Sequence, residues 1–311
     1  MAIMKVYIHR KGIHMKDQFG RQKRFSEILD HTFQLLKSNF STFFLVCLIL
    51  LGPIYLIEAL LLLNSGVSFF REIGTSGGSW FEDVMSGFEE GVGVSVGMNN
   101  VMGLLMIFLG PVAAASILFG VHRIKNGETF TAGSLIKQAF ARFVPLVGSS
   151  FILGAIFVAI FIAVFIVFTI AVGIMFTDPV SALFGVLILL FGIFLGFVLL
   201  FTRWGFYMAS VAFKEGFPGI PQSWRLTKNN TWRVFGLFLV IFLITGIIYA
   251  AIDGVTALLL GNSVLYMIII NLATILITVI NAVAYSVIYF DLKVRQDGDD
   301  LKEMIDEYQN N

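Results

Sequence analysis

Six runs of this sequence, near residues 41–63, 100–121, 149–176, 180–202, 234–252 and 264–290, hold one charged side chain between them, Glu58. Nothing else in the chain constrains its fold as strongly. Crossing roughly 30 Å of hydrocarbon takes about 20 helical residues at 1.5 Å of rise each, and every run is about that long or longer. A backbone in hydrocarbon must satisfy its own hydrogen bonds, which restricts spanning segments to helices or closed barrels. Continuous apolar runs, rather than alternation, select helices. The sequence therefore predicts an all-α polytopic membrane protein with six transmembrane helices. Of its 311 residues 58% are hydrophobic and 13% charged, about half the charge of a typical soluble domain.

The remaining charges are sorted by side. The segment before the first run carries eight Lys and Arg, the 122–148 connection four, the 203–233 connection five and the C-terminal tail three. Only Arg71 falls on the opposite side, among Glu72, Glu82, Asp83, Glu89, Glu90, Asp178 and Asp253. Basic residues mark cytoplasmic loops, so both termini are expected in the cytoplasm. The basic stretch HRKGIHMKDQFGRQKR at 9–24 is too long and polar for a secretory n-region, and no removable signal is expected. Directly before a first span such a stretch sets orientation and meets anionic headgroups, at ~1 kcal/mol per charge near the surface. No nucleic-acid partner is expected.

Three junctions align without gaps: HTFQLLKSNFSTFFLV (31–46), SLIKQAFARFVPLVGS (134–149) and SWRLTKNNTWRVFGLF (223–238). Each carries an aromatic at its tenth position, Phe40, Phe143 and Trp232, and each leads into an odd-numbered span. The exits at 119–128, 209–218 and 289–298 also match, with basic residues shortly before a glycine. Cations suit the negative end of a helix and glycine the position just past it. The expected architecture is three hairpin repeats, about 25–127, 128–216 and 217–298, each opened by a cytoplasmic interfacial amphipathic helix. A basic N-terminal segment (1–24) precedes this six-span domain (25–298), and an acidic cytoplasmic tail (299–311) follows it. Arg203, Trp224, Arg225, Lys228, Trp232 and Arg233 have the chemistry of headgroup contacts at the inner boundary.

Helices in lipid associate through close approach over small residues. Ala155, Ala159 and Ala163 recur every fourth position in the third span, and Gly185, Gly192 and Gly196 line the fourth. These six residues are expected to form the seam of a tight antiparallel pair joined at Asp178-Pro179. In the outer loop 64–99, Phe81, Val84, Met85, Phe88 and Val92 recur at helical spacing and predict a short amphipathic helix.

Catalytic patterns are missing. The one cysteine, Cys47, allows neither a disulfide within the chain nor a multi-thiolate metal site. The histidines at 9, 14, 31 and 122 lack the spacing of a zinc helix, and no P-loop or G-x-S-x-G elbow occurs. No cofactor, metal or catalytic residue is assigned. Polar side chains inside spans are costly and tend to face protein or a cavity, which singles out Glu58, Asn271 and Asn281 as a candidate intramembrane site.

The ending VIYFDLKVRQDGDDL (287–301) resembles the end of a bacterial family named for the membrane domain of glycerophosphoryl diester phosphodiesterases. Tyr289, Asp291, Leu292, Lys293, Arg295, Asp297, Gly298, Asp300 and Leu301 fit its pattern, Lys293 and Asp297 standing where Arg and Glu are usual. The resemblance implies the six-span membrane part without the catalytic barrel found in some members. His9-Arg10 shares only two residues with the opening of such a barrel. The reading that results is a non-enzymatic protein of the bacterial plasma membrane, an accessory or scaffold subunit binding lipids or a membrane-protein partner. The alternative is a transporter or export component for an amphiphilic compound, for which Glu58, Asn271 and Asn281 would converge on one cavity.

Overall fold

The computed structural model describes residues 19, 21–70, 96–175, 179–261 and 263–310. The helix expected around residues 81–92 lies outside them. The described residues form nine helices and no strand: α1 Phe25–Asn64, α2 Val96–Asn126, α3 Ala132–Phe140, α4 Phe143–Met175, α5 Pro179–Trp204, α6 Tyr207–Ala212, α7 Ile220–Thr227, α8 Thr231–Leu260 and α9 Val264–Asn310. Six of them, α1, α2, α4, α5, α8 and α9, are long and apolar enough to cross a membrane. The chain is an all-helical, multi-pass membrane protein.

The helices form two compact units, Met1–Ala141 with Phe238–Asn311, and Arg142–Leu237. In the first, α1 opens where the Arg24 amide donates to the Glu27 carboxylate at 2.9 Å, which occupies one of the free donors of a helix start. It bends at Asn39, whose backbone leaves the helical region (φ −128°, ψ 16°). The cause is local. The Ser38 hydroxyl and the Asn39 amide both donate to the Leu35 carbonyl, at 3.1 and 3.3 Å, and compete with the backbone for it. Helix α2 ends at Gly127, in the left-handed region at φ +75°, with its amide on Ile124 O and that of Glu128 on Arg123 O. Helix α3 is capped by Thr131, whose hydroxyl accepts from the Ser134 amide at 3.3 Å.

The core of this unit lies between α1, α2 and α9. Phe43, Ile117, Leu118, Ile275, Ile288 and Tyr289 are fully covered there. Small side chains are buried in the same unit: Ala113, Ala115 and Ser116 on α2, and Ala282, Ala284 and Ser286 on α9. At Gly120 the approach is closest, since a Cβ built there would stand 2.6 Å from the Phe43 ring and 3.1 Å from Leu135.

The second unit holds α4 to α7 and the first turns of α8. Its long helices α4 and α5 do meet, but through aromatic rings rather than the expected seam. Phe157 stacks on Phe197 at 6.4 Å and meets the Trp204 ring edge-on at 5.6 Å. Ala155, Ala159 and Ala163 are exposed, and a Cβ at Gly185, Gly192 or Gly196 would find no atom within 4 Å. At about 100° per residue, Phe157 points some 160° away from Ala155 and Ala159, so the alanine stripe turns outward when the ring turns inward. The small-residue seam is corrected accordingly: the close approach over a small residue lies instead at Gly120 of α2, against Phe43 of α1 and Leu135 of α3.

The three aligned junctions all contain a break in the helix. It falls at Asn39 inside α1, at 141–142 between α3 and α4, and at 228–230 between α7 and α8. These are the ninth, the eighth and ninth, and the sixth to eighth positions of the alignment. The last exit differs from the expected pattern, because α9 runs through Gly298 to Asn310. Leu301, Lys302, Glu303 and Met304 are good helix formers and carry it past a glycine cost of about 1 kcal/mol.

Candidate functional site

The strongest sequence candidates lie in the first unit. On α1, Glu58 is half-buried and its carboxylate accepts from the Asn271 side-chain amide of α9 at 2.9 Å. Asn271 is 8% exposed. Asn281 does not join them. It lies ten residues on, about 15 Å along the helix and some 80° around it, and its side chain is exposed. A second polar contact, which sequence reasoning missed, joins α8 to α9: the Tyr266 hydroxyl donates to Asp253 at 2.7 Å. Both contacts tie neighbouring helices.

The basic ends of α1 and α9 are joined by a more elaborate contact. Asp291, 2% exposed, accepts from the Lys23 backbone amide at 2.7 Å and from Arg295 Nε at 2.9 Å. Arg295 also donates through Nη2 to the Lys23 carbonyl at 2.6 Å and through Nη1 to Gln22 at 3.3 Å. The buried carboxylate is thus paired and hydrogen-bonded, as a covered charge must be. Lys23 Nζ lies 4.8 Å over the Phe19 ring. Burial pulls the Lys23 ammonium down to about 8 although Asp291 pushes the other way. The i, i+4 spacing of Asp291 and Arg295 was visible in sequence; their partners Gln22 and Lys23 were not.

In the second unit the Arg203 guanidinium stands 4.9 Å over the Trp224 ring. The Ser223 hydroxyl donates to the Arg203 carbonyl at 2.7 Å and accepts from the Phe206 amide at 3.0 Å, which locks α7 onto the end of α5. Helix α7 is amphipathic: Ser223, Leu226 and Thr227 are buried, while Trp224 and Arg225 are exposed. Past its end, Lys228 and Trp232 are exposed and Arg233 is half-buried. Of the six predicted headgroup contacts, Arg203 and Trp224 touch each other and four of the six remain on the surface.

A cavity of about 520 Å³ opens at the start of α4, between Val144, Pro145 and Gly148 on one side and Val211, Gly216 and Phe217 on the other. Arg142 and Lys214 complete its wall. Nothing in the sequence pattern brings these two cations together; the chain reversal at 213–219 does. Elsewhere, among the described residues, no group of three His, Cys, Asp or Glu side chains could hold a metal ion. Comparison of the chain with protein-family models, with curated proteins and with solved structures finds no match.

Proposed function

We propose that this chain is a non-catalytic protein of the bacterial plasma membrane, an accessory or scaffold subunit that binds inner-leaflet lipids and a membrane-protein partner. The observation that carries this reading is the Arg203–Trp224 stack on an amphipathic helix, with Arg225, Lys228 and Trp232 exposed around it. Amphipathic rings sit at headgroup depth, and guanidinium groups reach phosphate from there. The distribution of Lys and Arg supports cytoplasmic termini. A helix break within each of the three aligned junctions supports three repeats, each opened by a surface helix, and the ending at 287–301 resembles that of the family's membrane part.

The transport alternative needs its polar residues on one path. Glu58 is bonded to Asn271 and Asn281 stands apart, an arrangement that favours helix-to-helix hydrogen bonds, worth about 0.6 kcal/mol on average in a bilayer protein. The test is mass spectrometry of the tagged full-length chain purified in mild detergent. A stoichiometric protein partner or retained anionic lipid is expected. A chain that retains neither, and that in proteoliposomes moves an amphiphile in a manner lost on Glu58→Gln, would overturn the reading.

A further inference from the structure

We propose that the cavity at the start of α4 binds the phosphate headgroup of one membrane phospholipid, held by Arg142 and Lys214. The inference rests on the lipid-binding reading above and makes it specific: one site, one headgroup, two named cations.

Three observations carry it. A cavity of about 520 Å³ lies within the ~300–1,000 Å³ typical of small-molecule sites. Arg142 and Lys214 both stand on its wall, and no ion pair joins either of them to an acidic side chain among the described residues. A fixed positive charge beside apolar walls is costly without an anionic partner, and the guanidinium fork matches phosphate oxygens in particular. Lys214 stands at φ +63°, closing α6 with its amide on Val211 O at 3.2 Å and the Glu215 amide on Ser210 O at 2.9 Å. Glycine or asparagine takes that left-handed position at less cost. Strained backbone of this kind collects at ligand sites, and here it sets an ammonium on the wall that already carries Arg142.

The rim identifies the occupant. Val144 is 77% exposed and Phe217 59%, so the rim is apolar, and Arg142 and Lys214 share the wall with it. Free phosphate would satisfy the cations and leave the apolar wall bare. A phospholipid satisfies both, with its head on Arg142 and Lys214 and its first acyl carbons along Val144 and Phe217. The wall also belongs to the first turns of α4, whose positive helix end favours an anion.

The experiment is native mass spectrometry of the full-length chain in detergent, titrated with phosphatidylglycerol, with phosphatidylcholine and with glycerol phosphate. One equivalent of phosphatidylglycerol is expected to survive activation that strips phosphatidylcholine, and glycerol phosphate is expected not to displace it. Arg142→Gln and Lys214→Asn, the latter suited to the left-handed backbone, should each weaken that equivalent about 10-fold, the scale of one charge-assisted contact. Lys37→Gln makes the same charge change at an exposed site and should leave it in place. Gly148→Leu, which places a large side chain on the cavity wall beside Phe217, should fill the cavity and abolish it. Equal retention by the parent and both cation variants would overturn this site and leave general lipid binding intact. Full displacement by glycerol phosphate would overturn the lipid as occupant. A parent that retains no anionic lipid at all would overturn the site together with the lipid half of the broader reading.

Discussion

Helices α2 and α9 on one side, and α4 and α5 on the other, solve the same problem in opposite ways. The apolar windows of α2 and α9 have a mean hydropathy of 2.3, and half of each is buried within the protein. Helix α4 reaches 3.2 with none of its window buried, and α5 reaches 2.8 with 6%. The more hydrophobic helices are the less covered ones. Lipid tails are as apolar as leucine, so a helix gains little by moving apolar side chains from lipid to protein. What draws helices together is close contact over small residues and a few hydrogen bonds. Ala113, Ser116, Gly120, Asn271, Ala284 and Ser286 supply that in the first unit. The second unit relies on a few rings and on the polar lock at Ser223.

The largest effect should come from the polar contact that ties the chain start to α9. Asp291→Ala removes a carboxylate that is 1% exposed and leaves Arg295 paired with carbonyls alone. Breaking a buried pair from one side costs about 3–5 kcal/mol, so a clear fall in Tm in detergent is expected, whereas Arg225→Gln at an exposed position of the second unit should move it much less. The same contact has a pH signature. Because the Lys23 ammonium is lowered from 10.5 to about 8, the unfolded chain holds more protons between those values, and stability rises with pH across that window. A Lys23→Met variant should lose the rise; an unchanged slope would remove Lys23 as its source.

Next in size is Gly120→Ala. Its new methyl would meet the Phe43 ring at 2.6 Å, and overpacking of a tight contact costs about 1–3 kcal/mol. Gly192→Ala, where nothing lies within 4 Å, should be neutral or better. Smaller again is Asn271→Leu, which deletes the bond to Glu58 and is expected to cost about 0.6 kcal/mol, with 1.7 as the upper range. Near-equal melting of the two glycine variants would erase the contrast between the units.

Much of this could be read from residues alone. Six apolar runs with a single charge between them gave six spanning helices, because hydrocarbon length and backbone hydrogen bonding leave little choice. Glu58 and Asn271 were each visible as polar residues in apolar runs, and the structure pairs them; Asn281 looked the same in sequence and is not with them, since pairing depends on which face meets a neighbour. The alanine stripe failed for the same reason. Periodicity shows that residues share a face and is silent on what that face meets. Arg142 and Lys214 were beyond reach altogether, because their proximity arises from a chain reversal and a left-handed residue, neither of which leaves a hydrophobic pattern.

The smallest expected effect tests the comparison most directly. Ala159→Leu on α4 adds three carbons to a stripe that faces away from Phe157 and α5. If α4 presents that stripe to lipid, the larger side chain exchanges one apolar contact for another and stability should change by less than about 0.5 kcal/mol. A loss of 1–3 kcal/mol, the cost of crowding a filled contact, would mean that another protein surface covers the stripe. A second copy or a partner subunit would supply such a surface; among the described residues none covers Ala155, Ala159 or Ala163. Repeating the measurement across a dilution series separates these outcomes. A cost carried by an intermolecular contact fades as the protein is diluted, and one arising within the chain does not.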